Sequence, residues 1–239
     1  MAHTAKDFRA MARTALKGKW TTAIIITVLA TILGAMTIAN TLIQFEFNRE
    51  TGAVIKILES YSIPLAKAGG LAIILAGISL VWTIITIIIG GAMTLGYYQF
   101  HQNLVRNQDA EVGTLFVHKN KLWHGFCLNF WQILYIFLWT LCFIIPGIIA
   151  GLNYSMATYI ANDHPEMTAR EAIAASKEMM KGHRWRLFCL EISFFGWAIL
   201  SALTLGIGSF ALAPYQETAK AFFYQELLDN ERNLYNQYR

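Results

Sequence analysis

The first candidate for chemistry is Glu191, the one carboxylate that the sequence places well inside an apolar stretch. Ionisable residues in membrane segments are functional candidates by default, because a charge in hydrocarbon costs free energy. Glu191 lies only four residues past Leu187, which is roughly 6 Å along a helix. At that depth it can also pair with Arg184, Arg186 or Lys220. A structural ion pair and a proton-coupled or substrate-binding role are both open.

Motifs of known enzyme and metal sites are missing from the sequence. It contains no HExxH, GxSxG, Walker A, GxGxxG or EF-hand pattern. His101, His118 and His124 fall near Asp109 and Glu111, so a metal site is conceivable there, but these residues lack the regular spacing of metal-binding side chains. We therefore predict a protein that is not an enzyme and that has no catalytic residue, metal or cofactor.

A second group of candidates is basic and lies beside the predicted membrane. Basic side chains recur every four residues on one face of a helix near the N-terminus, whereas another face, from Phe8 to Leu16, is apolar. Such a helix is expected to lie flat on the membrane, where basic residues attract anionic lipid. Membrane topology alone also places basic residues at the cytoplasmic surface. The candidates for lipid or partner binding are Arg9, Arg13, Lys17, Lys177, Lys181, Arg184 and Arg186.

These residues belong to a chain with the composition of a membrane protein. Of its 239 residues, 56% are hydrophobic and 14% are charged, whereas soluble domains have about 45 to 50% and about 25%. This composition argues against a disordered chain, which is rich in charge and poor in aromatic residues. A net charge of +4 is also too small to indicate nucleic-acid binding.

Long uncharged windows locate the predicted spans. There are 26 uncharged residues between Lys19 and Glu46, 38 between Lys67 and Arg106, and 41 between Lys121 and Asp163. A spanning helix needs about 20 residues, so the third window is predicted to form two helices that turn at Pro146-Gly147. A fourth charge-poor window is predicted to form two helices that turn at 205–208, where glycine alternates with larger residues. The six predicted spans are 20–45, 71–97, 124–145, 147–162, 187–204 and 209–226.

The distribution of basic residues tests the number of spans. With six spans, 15 of the 19 Lys and Arg residues fall on one side, and Lys220 lies toward that end of the last span. The positive-inside rule assigns this side to the cytoplasm. Four spans would move the five basic residues of 163–186 to the other side. We therefore predict an all-α, polytopic membrane protein with six transmembrane helices in three hairpins and amphipathic juxtamembrane helices. Both termini are cytoplasmic, and an extracellular loop covers about 46–69.

An internal repeat is visible at the predicted cytoplasmic face. A shift of 164 positions aligns Thr4–Lys19 with Thr168–His183, with five identities in sixteen positions. Each copy begins with a capping box and ends at a glycine suited to the left-handed conformation, Gly18 or Gly182. We interpret residues 1–239 as a single membrane domain with weak repeats at 1–105, 106–165 and 166–239. Chance similarity between two capped, basic, alanine-rich helices is the alternative.

A series of short motifs carries a family resemblance. In order they are Ile145-Pro146-Gly147, Tyr154-Ser155-Met156, Met180-Lys181-Gly182, Ser193-Phe194-Phe195-Gly196-Trp197, Thr204-Leu205-Gly206-Ile207-Gly208, Pro214-Tyr215 and Phe223-Tyr224. With these motifs the chain resembles domain-of-unknown-function family 975, integral membrane proteins of mainly Gram-positive bacteria. The resemblance implies a bacterial plasma-membrane location. It implies no activity, substrate or catalytic residue.

Three functions are compatible with these observations. The first is a non-enzymatic scaffold that binds membrane lipids, anionic ones among them, or an unidentified protein partner through its basic helices. The second is a transporter or channel for a small or lipidic solute, favoured by the interrupted hairpins and the internal repetition. The third, an intramembrane enzyme, lacks any recognisable pair of acid, base or nucleophile.

Overall fold

A computed structural model describes residues 3–33, 89–118, 122–204 and 206–237. Every regular element in these ranges is a helix, which confirms the all-α prediction. The predicted extracellular loop at 46–69 lies outside the described residues. The helices are α1 Ala5–Leu16, α2 Trp20–Ile32, α3 at 89–105, a short 3-10 helix Val112–Phe116, α4 Leu122–Cys142, α5 Ile144–Tyr154, α6 Ala157–Asp163, α7 Ala169–Met179, α8 Arg184–Ile192, α9 Phe195–Leu203 and α10 Ser209–Gln237.

Helices α1 and α7 begin with the capping boxes that the sequence predicts. The backbone N–H of Thr4 donates to Asp7 Oδ2 at 2.8 Å, and that of Thr168 donates to Glu171 Oε2 at 2.7 Å. These bonds, with those from the threonine hydroxyls, lower the pKa of both carboxyl groups. After α1, Gly18 has a φ of +82°, and after α7, Gly182 has a φ of +79°, a conformation that favours glycine. The local predictions at both helix ends are confirmed.

The apolar face of α1 packs against protein, whereas the sequence predicted that it faces the membrane. Phe8, Ala12 and Leu16 are buried, and α1 contacts α10 and α8. The Phe8 ring lies 5.5 Å from the Phe223 ring of α10 in an edge-on arrangement. Packing against α10 removes this face from water as effectively as lipid would. The bend of 99° between α1 and α2 leads the chain from this surface into the next helix.

Helices α4 and α5 form one hairpin, and α9 and α10 form another. The first turns at Phe143, three residues before the predicted Pro146-Gly147, because proline is tolerated in the first turn of a helix. Gly147 fits closely against Thr140 of α4, where a Cβ would overlap that residue. The second hairpin turns as predicted around Gly206, whose φ is +84°.

Two of the predicted spans are interrupted. Span 147–162 is divided into α5 and α6 at Ser155, and span 187–204 is divided into α8 and α9 at Ser193. Ser155 Oγ donates to the Leu152 carbonyl at 2.8 Å, and Ser193 Oγ donates to the Leu190 carbonyl at 2.6 Å. Serine hydroxyls that bond to a nearby carbonyl compete with the regular helix ladder. Both breaks therefore occur where a side chain replaces a backbone donor.

In the part of the chain that the structure describes, no single helix is both long enough and apolar enough to cross a membrane, and α1 with α2 meets that test only as a bent pair. Large apolar side chains nevertheless cover the outer halves of the two hairpins, that is, the parts of α4, α5, α9 and α10 toward the turns at Phe143 and Gly206. An exposed apolar surface of this extent marks an interaction site. Its members include Phe130, Phe137, Trp139, Leu141, Phe143, Ile145, Phe195, Trp197, Leu200, Leu203 and Ile207.

Helix α3 is deeply buried in the part of the fold that lies away from the two hairpin turns. Tyr97 and Phe100 are fully buried on it. Gly91 approaches Gly125 of α4 so closely that a Cβ on either residue would overlap the other's backbone. Close backbone contact between α3 and α4 therefore holds this part of the fold together.

Candidate functional site

An apolar cavity of about 630 Å³ lies between the α9–α10 hairpin and the start of α2. We call it the α9–α10 groove. Its volume is in the range of about 300 to 1,000 Å³ that is typical of small-molecule sites. Its lining residues are Arg13, Trp20, Trp197, Leu200, Ser201, Thr204, Gly208, Ala211, Leu212 and Tyr215.

One end of the groove is basic and aromatic. Arg13 Nη2 lies 3.4 Å from the Tyr215 hydroxyl oxygen, a weak hydrogen bond, and that hydroxyl donates to the Arg9 carbonyl at 3.1 Å. The Trp20 ring lies 6.2 Å from the Tyr215 ring. Tyr215 thus links α10 to α1 and holds the exposed Arg13 guanidinium beside the apolar cavity. Guanidinium groups bind phosphate and carboxylate oxygens through paired donors.

Two of the other predicted basic residues stabilise the fold. Arg9 donates from Nη1 to the Ser193 carbonyl at 3.0 Å. Arg186 Nη2 lies 2.6 Å from Glu226 Oε1 and also donates to the His3 carbonyl at 3.0 Å. These contacts fasten α1 to α8 and α10, so both guanidiniums have structural partners within the protein.

The remaining predicted basic residues lie away from the groove lining. Lys17 and Lys177 are exposed. Lys181 is exposed and pairs with Glu178 at 2.6 Å, and Arg184 is half-buried. Of the seven predicted residues, Arg13 is the one that lines the groove. The structure therefore divides a set that the sequence treated as equivalent.

Glu191 belongs to a group that we call the Lys220 cluster, formed by Glu191, Glu217, Lys220 and Tyr159. Lys220 Nζ lies 2.8 Å from Glu191 Oε1 and 3.2 Å from Glu217 Oε1. The Tyr159 hydroxyl donates to Glu217 Oε2 at 3.2 Å. Of the three pairings expected for Glu191, the one with Lys220 is present. The cluster joins α6, α8 and α10.

A second ionic group joins the ends of α3 and α6 to α10. Arg106 forms a bidentate pair with Asp163, at 2.8 Å from Nη1 and 2.6 Å from Nη2. The Tyr224 hydroxyl donates to Asp163 Oδ2 at 2.9 Å, and Arg106 Nε donates to Gln225 Oε1 at 3.1 Å. The hydrogen bonds to Asp163 raise the pKa of Arg106. This geometry is the strongest form of an ion pair between side chains.

Several of these residues were missed by the sequence analysis. Glu217 is a second carboxylate within a predicted span, and its spacing of three residues from Lys220 is the signal for an ion pair on one helix face. The sequence analysis used Arg106 and Asp163 only as the ends of uncharged windows. Their pairing joins residues 57 positions apart, so no local sequence pattern predicts it.

The histidine group predicted as a conceivable ligand set is divided in the structure. His101 is buried, and its Nδ1 lies 2.9 Å from Thr218 Oγ1. Because the Thr218 hydroxyl donates to the Pro214 carbonyl, the Thr218 oxygen accepts a hydrogen bond from His101 Nδ1. Burial accordingly lowers the pKa of His101 to about 3. Among the described residues, no three His, Cys, Asp or Glu side chains are grouped to hold a metal ion.

Comparison with known families agrees with the sequence motifs. A family described as protein of unknown function (DUF975) matches residues 126–231. The resemblance stated above is therefore confirmed over that range, which covers α5 to α9 with most of α4 and α10. Neither a curated protein nor a solved structure gave a match.

Proposed function

We propose that this protein is a non-enzymatic integral protein of the bacterial plasma membrane that binds an anionic lipid in the α9–α10 groove. The observation that carries the proposal is the position of Arg13, a guanidinium at the end of an otherwise apolar cavity. Such a site complements an anionic headgroup joined to hydrocarbon. Trp20 and Tyr215 beside Arg13 are the residue types that favour the headgroup region of a bilayer.

Membrane insertion is supported by the apolar outer halves of both hairpins. Helix α4 has 21 residues and is about 31 Å long at 1.5 Å per residue, close to the thickness of a bilayer core. Its exposed side chains include Phe137, Trp139 and Leu141. The proposed topology keeps six spans, with both termini and the α1 and α7 surfaces in the cytoplasm and residues 46–69 outside.

This topology predicts the accessibility of single cysteines in a variant whose native cysteines are replaced by serine. In intact cells, Arg13→Cys, Asp109→Cys and Lys177→Cys are expected to be shielded from a membrane-impermeant maleimide. Gly52→Cys and Ile207→Cys are expected to be labelled, because both are outside in the six-span arrangement. The measurement is the mass shift of the purified protein.

Permeabilised cells provide the control, since all five positions should then react. Labelling of Lys177→Cys in intact cells would contradict the six-span arrangement. Protection of Ile207→Cys in both preparations would indicate that the α9–α10 hairpin ends inside the bilayer.

Lipid selectivity tests the proposed binding site. We expect Arg13→Gln to weaken binding of phosphatidylglycerol relative to phosphatidylcholine by about fivefold, since one basic residue near an anionic surface contributes about 1 kcal/mol. The difference should shrink as salt is raised. Native mass spectrometry of the full-length protein, with each lipid titrated separately, measures the ratio.

Lys177→Gln is the matched control, because it removes the same charge from an exposed position that does not line the groove. An equal loss in both variants would make the effect one of general surface charge and would contradict a site at Arg13. A photo-crosslinking residue at Leu200 identifies the occupant. Adducts with lipid support the proposal, whereas adducts with the chain itself or with another protein would contradict it.

The Lys220 cluster gives the transport hypothesis one specific observation, since ionisable groups among apolar helices commonly mark a substrate or proton pathway. Its charged groups, however, already have partners within the protein: Lys220 contacts both carboxylates, and Tyr159 donates to Glu217. The groove instead presents a cation to an apolar cavity. Lipid binding is therefore the function that the geometry favours, and transport is the second candidate.

A further inference from the structure

Two parts of the chain share one backbone plan, the α1–α2 segment and the α7–α8 segment. With the shift of 164 positions, α2 begins at Trp20 and α8 begins at the matching Arg184, each after a glycine with a positive φ. The two segments also bury matching side chains. Examples are Phe8 and Ala172, Leu16 and Met180, and Ile26 and Leu190.

Each segment packs on one hairpin. Helices α1 and α2 contact α10, whereas α7 contacts α4 and α5, and α8 contacts α5. The hairpins themselves match with a shift of 61 positions. In each hairpin a glycine after the turn lies against a hydroxyl-bearing residue before it, Gly147 against Thr140 and Gly208 against Ser201. The α4–α5 hairpin with α7 and α8 therefore repeats the arrangement that forms the α9–α10 groove.

Arg184 takes the place of Trp20 in this second arrangement. Trp20 lines the α9–α10 groove, and its ring lies 6.2 Å from that of Tyr215. The residue that matches Tyr215 is Tyr154, and both are 7% exposed. The repeat thus puts a guanidinium where the first arrangement has an indole.

Arg184 is a half-buried cation that has no partner among the residues that the structure describes. Its Nε is enclosed by protein, whereas both Nη nitrogens keep access to the surface. Arg9 and Arg186 differ, since their guanidinium groups donate to other groups of the protein. A charge that loses hydration without gaining a partner costs free energy, and an anion at the Nη nitrogens would offset that cost.

The surface around Arg184 suits a lipid better than a soluble anion. Trp185 is 71% exposed, and exposed tryptophan is typical of the headgroup region of a bilayer. On the α4–α5 hairpin, Trp139 is 50% exposed, and Gly151 stands at the position of the groove residue Leu212. A Cβ added at Gly151 would meet open space. An apolar surface with room for an acyl chain therefore accompanies the cation.

We propose that Arg184 binds the phosphate of a second anionic phospholipid, whose acyl chains lie on the α4–α5 hairpin. This inference rests on the proposed lipid-binding function and extends it from one site to two. The paired Nη donors of a guanidinium fit two oxygens of one phosphate. Lys177, at the position that matches Arg13, is exposed, so water and salt screen its charge and it contributes little.

Native mass spectrometry of the full-length protein tests the second site by successive addition of lipid. We expect two phosphatidylglycerol molecules to bind more tightly than phosphatidylcholine, and Arg184→Gln to weaken one of these two steps by about fivefold. Arg184→Lys, which keeps the charge, should retain most of the selectivity. Arg232→Gln, at an exposed arginine of α10, is the matched control. Because Arg184 has no partner in the described part of the protein, its substitution should leave the fold intact.

Photo-crosslinking assigns each lipid to its hairpin. Trp139 matches Leu200 by the shift of 61 positions, so crosslinking residues at these two places form a matched pair. In bilayers that contain both lipids, the ratio of phosphatidylglycerol to phosphatidylcholine adducts at Trp139 should fall in Arg184→Gln and persist in Arg13→Gln. The reverse is expected at Leu200.

The outcomes separate this inference from the proposed function. If Arg184→Gln is as selective as Arg232→Gln, or if the adduct ratio at Trp139 does not depend on Arg184, the second site is overturned even where Arg13→Gln weakens binding. Displacement of the second lipid by inorganic phosphate at constant ionic strength would also overturn it, in favour of a soluble anion. If neither Arg13→Gln nor Arg184→Gln lowers selectivity for phosphatidylglycerol, the proposed function itself fails.

Discussion

Replacing Lys220 with methionine is expected to lower the free energy of unfolding by about 3 kcal/mol. Removal of one partner from a buried ion pair leaves an uncompensated charge, which typically costs about 3 to 5 kcal/mol. Glu217 should account for most of the loss, because its side chain is 12% exposed, whereas that of Glu191 is 36% exposed. Thermal or denaturant unfolding in mild detergent, followed by circular dichroism, measures the change.

Further variants of the Lys220 cluster test the same expectation. Lys220→Met combined with Glu217→Gln should regain much of the lost stability, because no strongly buried charge then remains. Glu191→Gln should lower stability only modestly, and Glu191→Leu should be tolerated if the carboxylate merely extends to the interface. Lys181→Met is the exposed control, with an expected change within about 0.5 kcal/mol. If Lys220→Met were as stable as that control, the cluster would not stabilise the fold.

Asp163→Asn is expected to have the second large effect, a loss of about 2 to 3 kcal/mol. The substitution keeps the shape of the side chain but removes the charge that holds Arg106 with two hydrogen bonds and also accepts from Tyr224. The Arg106 and Asp163 side chains are 28% and 19% exposed, so water compensates only partly. Unfolding measured as above gives the free-energy difference.

Glu166→Gln provides the matched comparison for Asp163. Glu166 lies just after α6, and its contact with His164 joins side chains that are 69% and 48% exposed. Exposed pairs contribute about 0 to 1 kcal/mol, so this variant should be nearly as stable as the unsubstituted protein. An Asp163→Asn variant with the same small effect would show that the pair does not hold α3 and α6 to α10.

The groove is linked to α8 and α10 through α1. Arg9 and Tyr215 connect α1 to α8 and α10, and the same Tyr215 positions Arg13 at the groove. A lipid headgroup at Arg13 would therefore contact a helix whose own position depends on the inner bundle. A substitution at Arg9 is therefore unsuitable as a test of lipid binding, since it would also remove a contact between α1 and the end of α8.

Features that depend on a few neighbouring residues were determined by the sequence. The capping boxes at Thr4 and Thr168, the left-handed Gly18 and Gly182, and the turn around Gly206 all occur where the sequence predicts them. Each of these features is formed by atoms within about one helical turn, so its residue pattern suffices. The helical class likewise follows from the long uncharged windows and from the glycine and proline positions within them.

Features that depend on which helices meet were decided only by the tertiary structure. Whether the apolar face of α1 contacts lipid or protein depends on a surface supplied by α10, more than 200 positions away. The contrast between Arg9, bonded to Ser193, and Arg13, beside an apolar groove, arises in the same way. The ion pair between Lys220 and Glu191 likewise depends on how α8 and α10 pack. Ion pairs and cavities form between helices, and their energies depend on burial and distances that residue type and spacing along the chain do not contain.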